Sequence, residues 1–162
     1  MASKTLEDLF IECLRQTYFA EQQIARALAK MVKVADSKEL ARAFEKHRDE
    51  THVQLARLEQ IFERLGRSAR AEPSLGIQGI LGEASEFAAE FRDSDALDAA
   101  LIAAAQAVEH YEITRYGSLS SWATDLGLKD TAKLLDETLE EEKKTDKLLT
   151  QLAEQRVNKR AA

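Results

Sequence analysis

The apolar residues of this chain recur at three- and four-residue spacing over long stretches, which is the period of an amphipathic helix. At the start they fall on Leu6, Leu9, Phe10, Cys13, Leu14, Ile24, Leu28 and Met31, which predicts a first helix over about 5–34. Leu40, Phe44, Leu55, Leu58 and Phe62 mark a second over about 37–65. Asp36 and Glu39 have the spacing of a capping box at its start, and Gly66 is placed to close it. Residues 67–82 break the pattern, holding the only proline and three of the six glycines. Ile80, Leu81, Ala84, Phe87, Ala88 and Phe91 suit a short helix over about 77–91, after which Asp93, Ser94 and Asp95 can cap the next. A third long helix over about 96–126 stops at Gly127. A fourth, over about 129–155, carries Leu134, Leu135, Leu139, Leu148, Leu149 and Leu152. The last five residues are expected to fray.

Short turns join the first helix to the second and the third to the fourth, so each pair packs as an antiparallel hairpin. Each long helix spans roughly 40 Å at 1.5 Å per residue. A long connection carrying its own short helix links the hairpins. Hairpin, crossover, hairpin is the ferritin-like topology of the four-helix bundle. The chain therefore reads as all-α, with one ferritin-like domain over residues 1–162.

Each long helix also places charge where its core stripe should be apolar. In the first, Leu14, Thr17, Glu21, Ile24 and Leu28 form the stripe and Glu21 interrupts it. In the second, His47 and Glu50 interrupt Ala43, Gln54, Leu58 and Ile61. In the third, Glu109 and Glu112 stand among Ile102, Ala105, Tyr116 and Leu119. In the fourth, Glu142 and Asp146 interrupt Leu135, Leu139 and Leu149. An unpaired carboxylate in a low-dielectric interior costs several kcal/mol. Acids kept there at mid-helix on all four helices point to a cation held between them. The spacing repeats: 29 residues separate Glu21 from Glu50, and 30 separate Glu112 from Glu142. Five or six carboxylates with one or two imidazoles suit two divalent ions. Oxygen and imidazole donors favour iron, or manganese as the alternative, while a structural zinc site uses thiolates. His110 is one residue off the Glu109 stripe, where packing and metal roles weigh equally. His52 falls on the charged face.

Composition narrows the partners. The net charge of −6 gives no domain-wide basic field, so nucleic acid is not an expected partner. Arg64, Arg67 and Arg70 read as a solvated helix end. The single cysteine, Cys13, forms no internal disulfide and sits on an apolar stripe, so it belongs to the core. No stretch approaches a membrane span. The first residues lack the apolar run of a secretion signal, and the cytoplasm is the expected compartment.

Five pieces together resemble one family. They are Lys4–Phe10 (KTLEDLF), Tyr18–Gln22 (YFAEQ), His47–Phe62 with its LEQIF end, Val108–Ile113 (VEHYEI) and Leu139–Lys143 (LEEEK). Their combination is similar to the YciE/YciF family of small, ferritin-like, stress-associated bacterial proteins related to rubrerythrin, to which a di-iron site is ascribed. The resemblance implies a homodimer. It also implies a ligand pattern in which Glu21 is the first acid, Glu50 the second, Glu109 and Glu112 a pair, and Glu142 the last. Val53 and Thr145 stand where the pattern asks for histidines. His47, one turn before Glu50, and Asp146, one turn after Glu142, are the substitutes. In this scheme Glu50 and Glu142 bridge two iron ions, and Tyr111 and Tyr116 support the ligands from behind.

The function so implied is Fe(II) oxidation, or reduction of peroxide or dioxygen, in stress protection. A peroxidase cycle would need a separate electron donor, since no cysteine-rich electron-transfer module is present. The alternative is a non-catalytic stress or scaffold bundle, with a structural metal or none. A di-iron hydroxylase ranks last, because no substrate pocket is recognisable.

Overall fold

The structure, a computed structural model, describes residues 3–162. It contains α1 (Leu6–Val34), α2 (Lys38–Arg64), α3 (Leu75–Glu90), α4 (Leu97–Asp125) and α5 (Lys129–Leu152). A π-helical turn over Ala153–Val157 continues α5 into α6 (Asn158–Ala161). No strand occurs among the described residues. The fold is the expected all-α, ferritin-like bundle.

Local chemistry sets the helix ends. Thr5 and Asp8 cap each other at the start of α1, with Asp8 N donating to Thr5 Oγ1 at 3.2 Å and Thr5 N to Asp8 Oδ2 at 2.8 Å. The expected Asp36–Glu39 box is not the device that starts α2. Ser37 is the N-cap and accepts from Leu40 N. Its neighbour Asp36 is drawn into a tertiary contact instead. Asp98, buried at the start of α4, accepts from the backbone N–H groups of Asp36 (2.8 Å) and Ser37 (2.9 Å). Gly66 and Gly127 close α2 and α4 at φ of 65° and 76°, a conformation that other residues adopt at a cost. α4 begins on Ala96 without a side-chain cap; Ser94 Oγ accepts only from Ala96 N, at 3.2 Å. The C-terminal end is also not frayed. It stays helical to Ala161, and Arg160 pairs with Asp95 (3.2 Å) and Asp36 (3.6 Å).

α1 with α2 and α4 with α5 form the two hairpins, α1 packs on α4, and α2 packs on α5. The crossover returns along α1. Arg67 reaches Glu7 at 3.3 Å, Glu72 N donates to Arg15 O at 3.2 Å, and α3 then inserts Ile77 between α1 and α4.

The interior is not one continuous apolar core. One cluster gathers Ile24, Leu28, Phe44, Leu101, Ile102, Val108 and Leu149 towards one end. The other gathers Phe10, Leu14, Leu58, Ile61, Tyr116, Leu119 and Leu135 towards the opposite end. Each long helix passes from one to the other at mid-length. At that level its buried residues are Thr17 and Glu21 on α1, His47, Thr51 and Gln54 on α2, Glu109 and Glu112 on α4, and Thr138 and Glu142 on α5. The bundle thus encloses a polar layer between two apolar halves.

Candidate metal centre

His47, Glu109, Glu112 and Glu142 are all buried, and one ligand atom from each lies within 4.8 Å of the others. His47 Nδ1 is 3.0 Å from Glu109 Oε1, and its Nε2 is 3.7 Å from Glu142 Oε2. Glu21 stands beside this group. One of its oxygens accepts a short hydrogen bond from the Tyr116 hydroxyl, and both residues are wholly buried. The Gln54 amide donates a short hydrogen bond to Glu142 Oε1.

What remains unmet is more informative than what is bonded. Glu21 Oε2, His47 Nε2, Gln54 Oε1, Glu109 Oε2, both oxygens of Glu112 and Glu142 Oε2 are buried with no hydrogen-bond partner among the described residues while the acids are ionised. Only by keeping protons can Glu21 pair with Glu112 and Glu109 with Glu142. Buried polar atoms in folded proteins are almost always satisfied. Seven orphans in one layer, nearly all of them carboxylate oxygens or an imidazole nitrogen, are donors of the kind that could hold a hard or borderline divalent cation. The buried threonines do not answer them. Thr17 and Thr51 donate back to the carbonyls of Cys13 (2.8 Å) and His47 (3.0 Å) on their own helices.

Without a cation the layer is electrostatically loaded. Burial pushes the Glu21 carboxyl up to about 8, and the facing Glu142 charge adds to the rise. Burial likewise raises Glu109 to about 8, with the Glu21, Asp146 and Glu50 charges acting in the same direction. Glu112 and Glu142 are held well above the ordinary carboxylate value, first by burial and then by neighbouring carboxylates. Burial and the Glu21 and Glu112 charges also keep the Tyr116 phenol protonated far above its usual range. A divalent cation would replace this mutual repulsion with attraction.

The sequence and the fold both have counterparts among known proteins. Residues 5–162 match a family described as a domain of unknown function, DUF892. Protein YciF of Escherichia coli (strain K12) is 46% identical over 162 residues, covering 99% of this chain and 98% of that protein. The chain belongs to the YciF family. The crystal structure of the E. coli stress protein YciF matches with a TM-score of 0.91, over 97% of this chain and 99% of the other. YcfI from Rhodopseudomonas palustris, proposed to be a structural protein, matches at 44% identity and a TM-score of 0.88, over 91% and 94% of the two chains. A Xanthomonas campestris protein at 21% identity, with a TM-score of 0.75 over 96% and 94%, shares the fold.

Within this YciF-family bundle, Glu21, His47, Glu109, Glu112 and Glu142 meet in the polar layer. Glu50 does not join them. Its side chain is 34% exposed and pairs with Lys46 at 3.6 Å. The inward line of α2 runs His47, Thr51, Gln54, so Glu50 falls on the flank one helical step (about 100°) from Thr51. Asp146 also lies outside the group. It accepts from Gln106 Nε2 at 3.1 Å and faces His110 at 3.3 Å, bridging α4 and α5 at the bundle surface. His110 is 68% exposed. The two tyrosines part company: Tyr116 bonds Glu21, whereas the Tyr111 hydroxyl bonds Ser74 on the crossover at 2.8 Å, with Arg115 over its ring.

Gln54 stands on the stripe predicted for α2 and is a functional residue of the layer that the acid pattern alone does not pick out. Its signal was an uncharged polar residue on the same inward line as His47. Arg57, which fixes Glu141 from α2 at 2.9 Å, left no such signal, because a cation beside that stripe reads as surface. No helix among the described residues is long and apolar enough to cross a membrane.

Proposed function

We propose that this chain is a stress-associated, ferritin-like di-metal protein that oxidises Fe(II), or reduces dioxygen or peroxide, at the buried carboxylate layer. The observation that carries the reading is the set of seven unpartnered polar atoms on Glu21, His47, Gln54, Glu109, Glu112 and Glu142. Glu21, His47, Glu109, Glu112 and Glu142 would hold two divalent ions, iron first and manganese as the alternative. When bound there, iron would supply the reducing electrons, one from each of two Fe(II) per peroxide, with two protons taken up and two waters formed.

The residues do the rest. His47 is the one imidazole in the layer, so two bound ions would have unequal surroundings. Tyr116 fixes the Glu21 carboxylate through its hydroxyl and holds a proton deep in the layer. The apolar clusters on either side exclude bulk water, which strengthens every charge interaction inside. A homodimer in the cytoplasm, with a separate electron donor for any peroxidase cycle, and without nucleic-acid or membrane partners, completes the proposal. The stress role follows the description of E. coli YciF as a stress protein.

The test is anaerobic loading of metal-depleted protein with Fe(II), then exposure to oxygen or peroxide. Oxidation faster than free Fe(II), lost in Glu112→Ala with the fold retained, supports the reading. A second reading, a non-catalytic bundle with a structural metal, draws on the description of R. palustris YcfI as a proposed structural protein. It predicts metal binding with no acceleration of oxidation.

A further inference from the structure

Gln54 lies in the polar layer, buried on α2, between two carboxylates of α5. Its Nε2 donates to Glu142 Oε1 and, at 3.1 Å, to Glu141 Oε2. A primary amide has two N–H donors, and here each meets one acid. The reverse orientation would set the amide oxygen against Glu141, whose pairing with Arg57 favours its ionised form, so the nitrogen is assigned to that side. Glu141 is itself held rigidly. Arg57 donates to its two oxygens at 2.9 and 3.0 Å and anchors on the Thr138 hydroxyl at 2.6 Å. A connected series of polar contacts therefore runs from Arg57 at the bundle flank through Glu141 and Gln54 to Glu142.

The consequence falls on Glu142. Its Oε1 is taken by the amide, while its Oε2 is left unpartnered, 3.7 Å from His47 Nε2. Leucine at this position would donate nothing, and a neutral histidine has a single N–H donor, so neither could serve both acids. A glutamate at 54 would add a further negative charge to a layer that already holds four carboxylates.

We propose that Gln54 is the positioning residue of the metal centre, turning Glu142 so that one oxygen faces the cation, with Arg57 and Glu141 holding the amide in place. This rests on the metal reading above. It concerns how the ligand is aimed, a role separate from ligation itself. Groups that orient a ligand typically alter metal affinity about 10- to 100-fold when removed.

The test uses Mn(II) as the probe, titrated calorimetrically into the full, metal-depleted chain and followed by electron paramagnetic resonance. Gln54→Leu is expected to weaken Mn(II) binding at least tenfold and to change the line shape. Its metal-free form should still fold, with a melting temperature about 2–12 °C below the parent, the cost of stripping a buried acceptor of its donor. Glu141→Gln, on the half-exposed flank, should weaken binding in the same direction by a smaller factor. It decides the matter if Gln54→Leu does not fold. Parent-like Mn(II) affinity in a folded Gln54→Leu, or in Glu141→Gln where that variant must stand in, overturns the positioning role. A parent chain that takes up no Mn(II) or Fe(II) overturns the metal reading itself, and that outcome is read on the unmutated protein.

Discussion

His47 Nδ1 on α2 stands 3.0 Å from Glu109 Oε1 on α4, across the middle of the bundle. The contact joins helices from different hairpins at the level where both apolar clusters end. It leaves the other imidazole nitrogen unpartnered in the layer, near Glu142.

His47→Gln removes that nitrogen and keeps a polar side chain. The expected outcome is a folded protein whose affinity for Fe(II) or Mn(II) drops at least tenfold, about 1.4 kcal/mol or more. Calorimetric titration of the metal-depleted protein checks it; unchanged affinity would remove His47 from the ligand set.

Tyr116→Phe deletes the donor to Glu21 and leaves a second orphan oxygen on that carboxyl. A buried group stripped of its partner costs about 1–3 kcal/mol. Urea unfolding should show that loss with an unchanged slope, since the surface exposed on unfolding is the same.

Stability of the metal-free protein should fall as pH rises from about 4.5 to 8. The four acids ionise near the usual carboxylate value of about 4.3 when unfolded. In the fold, burial raises Glu21 and Glu109 to about 8 and holds Glu112 and Glu142 well above the ordinary value. The folded state therefore binds more protons across this window, and its advantage, full below about 4.3, is lost as pH climbs through the folded values. Cations compete with those protons, so the stabilisation given by added metal should grow over the same window. Melting curves from pH 5 to 8.5, with chelator and with Mn(II), read both slopes. A metal-free protein that gains stability across the window contradicts the loaded layer.

Glu50→Gln should leave metal stoichiometry unchanged and alter affinity less than threefold, because Glu50 sits on the flank paired with Lys46. Loss of one equivalent of metal would mean that Glu50 turns inward when the cation binds.

Much of this was legible in the sequence, for reasons that differ along the chain. α4 is alanine-rich on nearly every side, so its faces differ little, and only the line Ile102, Ala105, Tyr116, Leu119 places Glu109 and Glu112 inward. The topology followed from Gly66, Gly127 and the proline- and glycine-bearing crossover. α2 was harder. Polar and charged residues surround its inward line from His47 to Gln54, and a one-residue choice between Glu50 and Thr51 rotates the reading by about 100°. Asp146 failed to join for a related reason. It is one turn beyond Glu142, where α5 has drifted towards Gln106 and His110. The turn that leads into α2 is held by Asp98, some sixty residues away, and no local pattern reports such a contact.

Metal binding by the unmutated chain is the most direct test of the central claim. Metal-depleted protein, loaded anaerobically with Fe(II) and desalted, should retain about two ions per chain. At a free metal concentration about 100 times the dissociation constant it should gain about 2.7 kcal/mol of stability per site. Retention of no metal, with an unchanged melting temperature, would contradict the account.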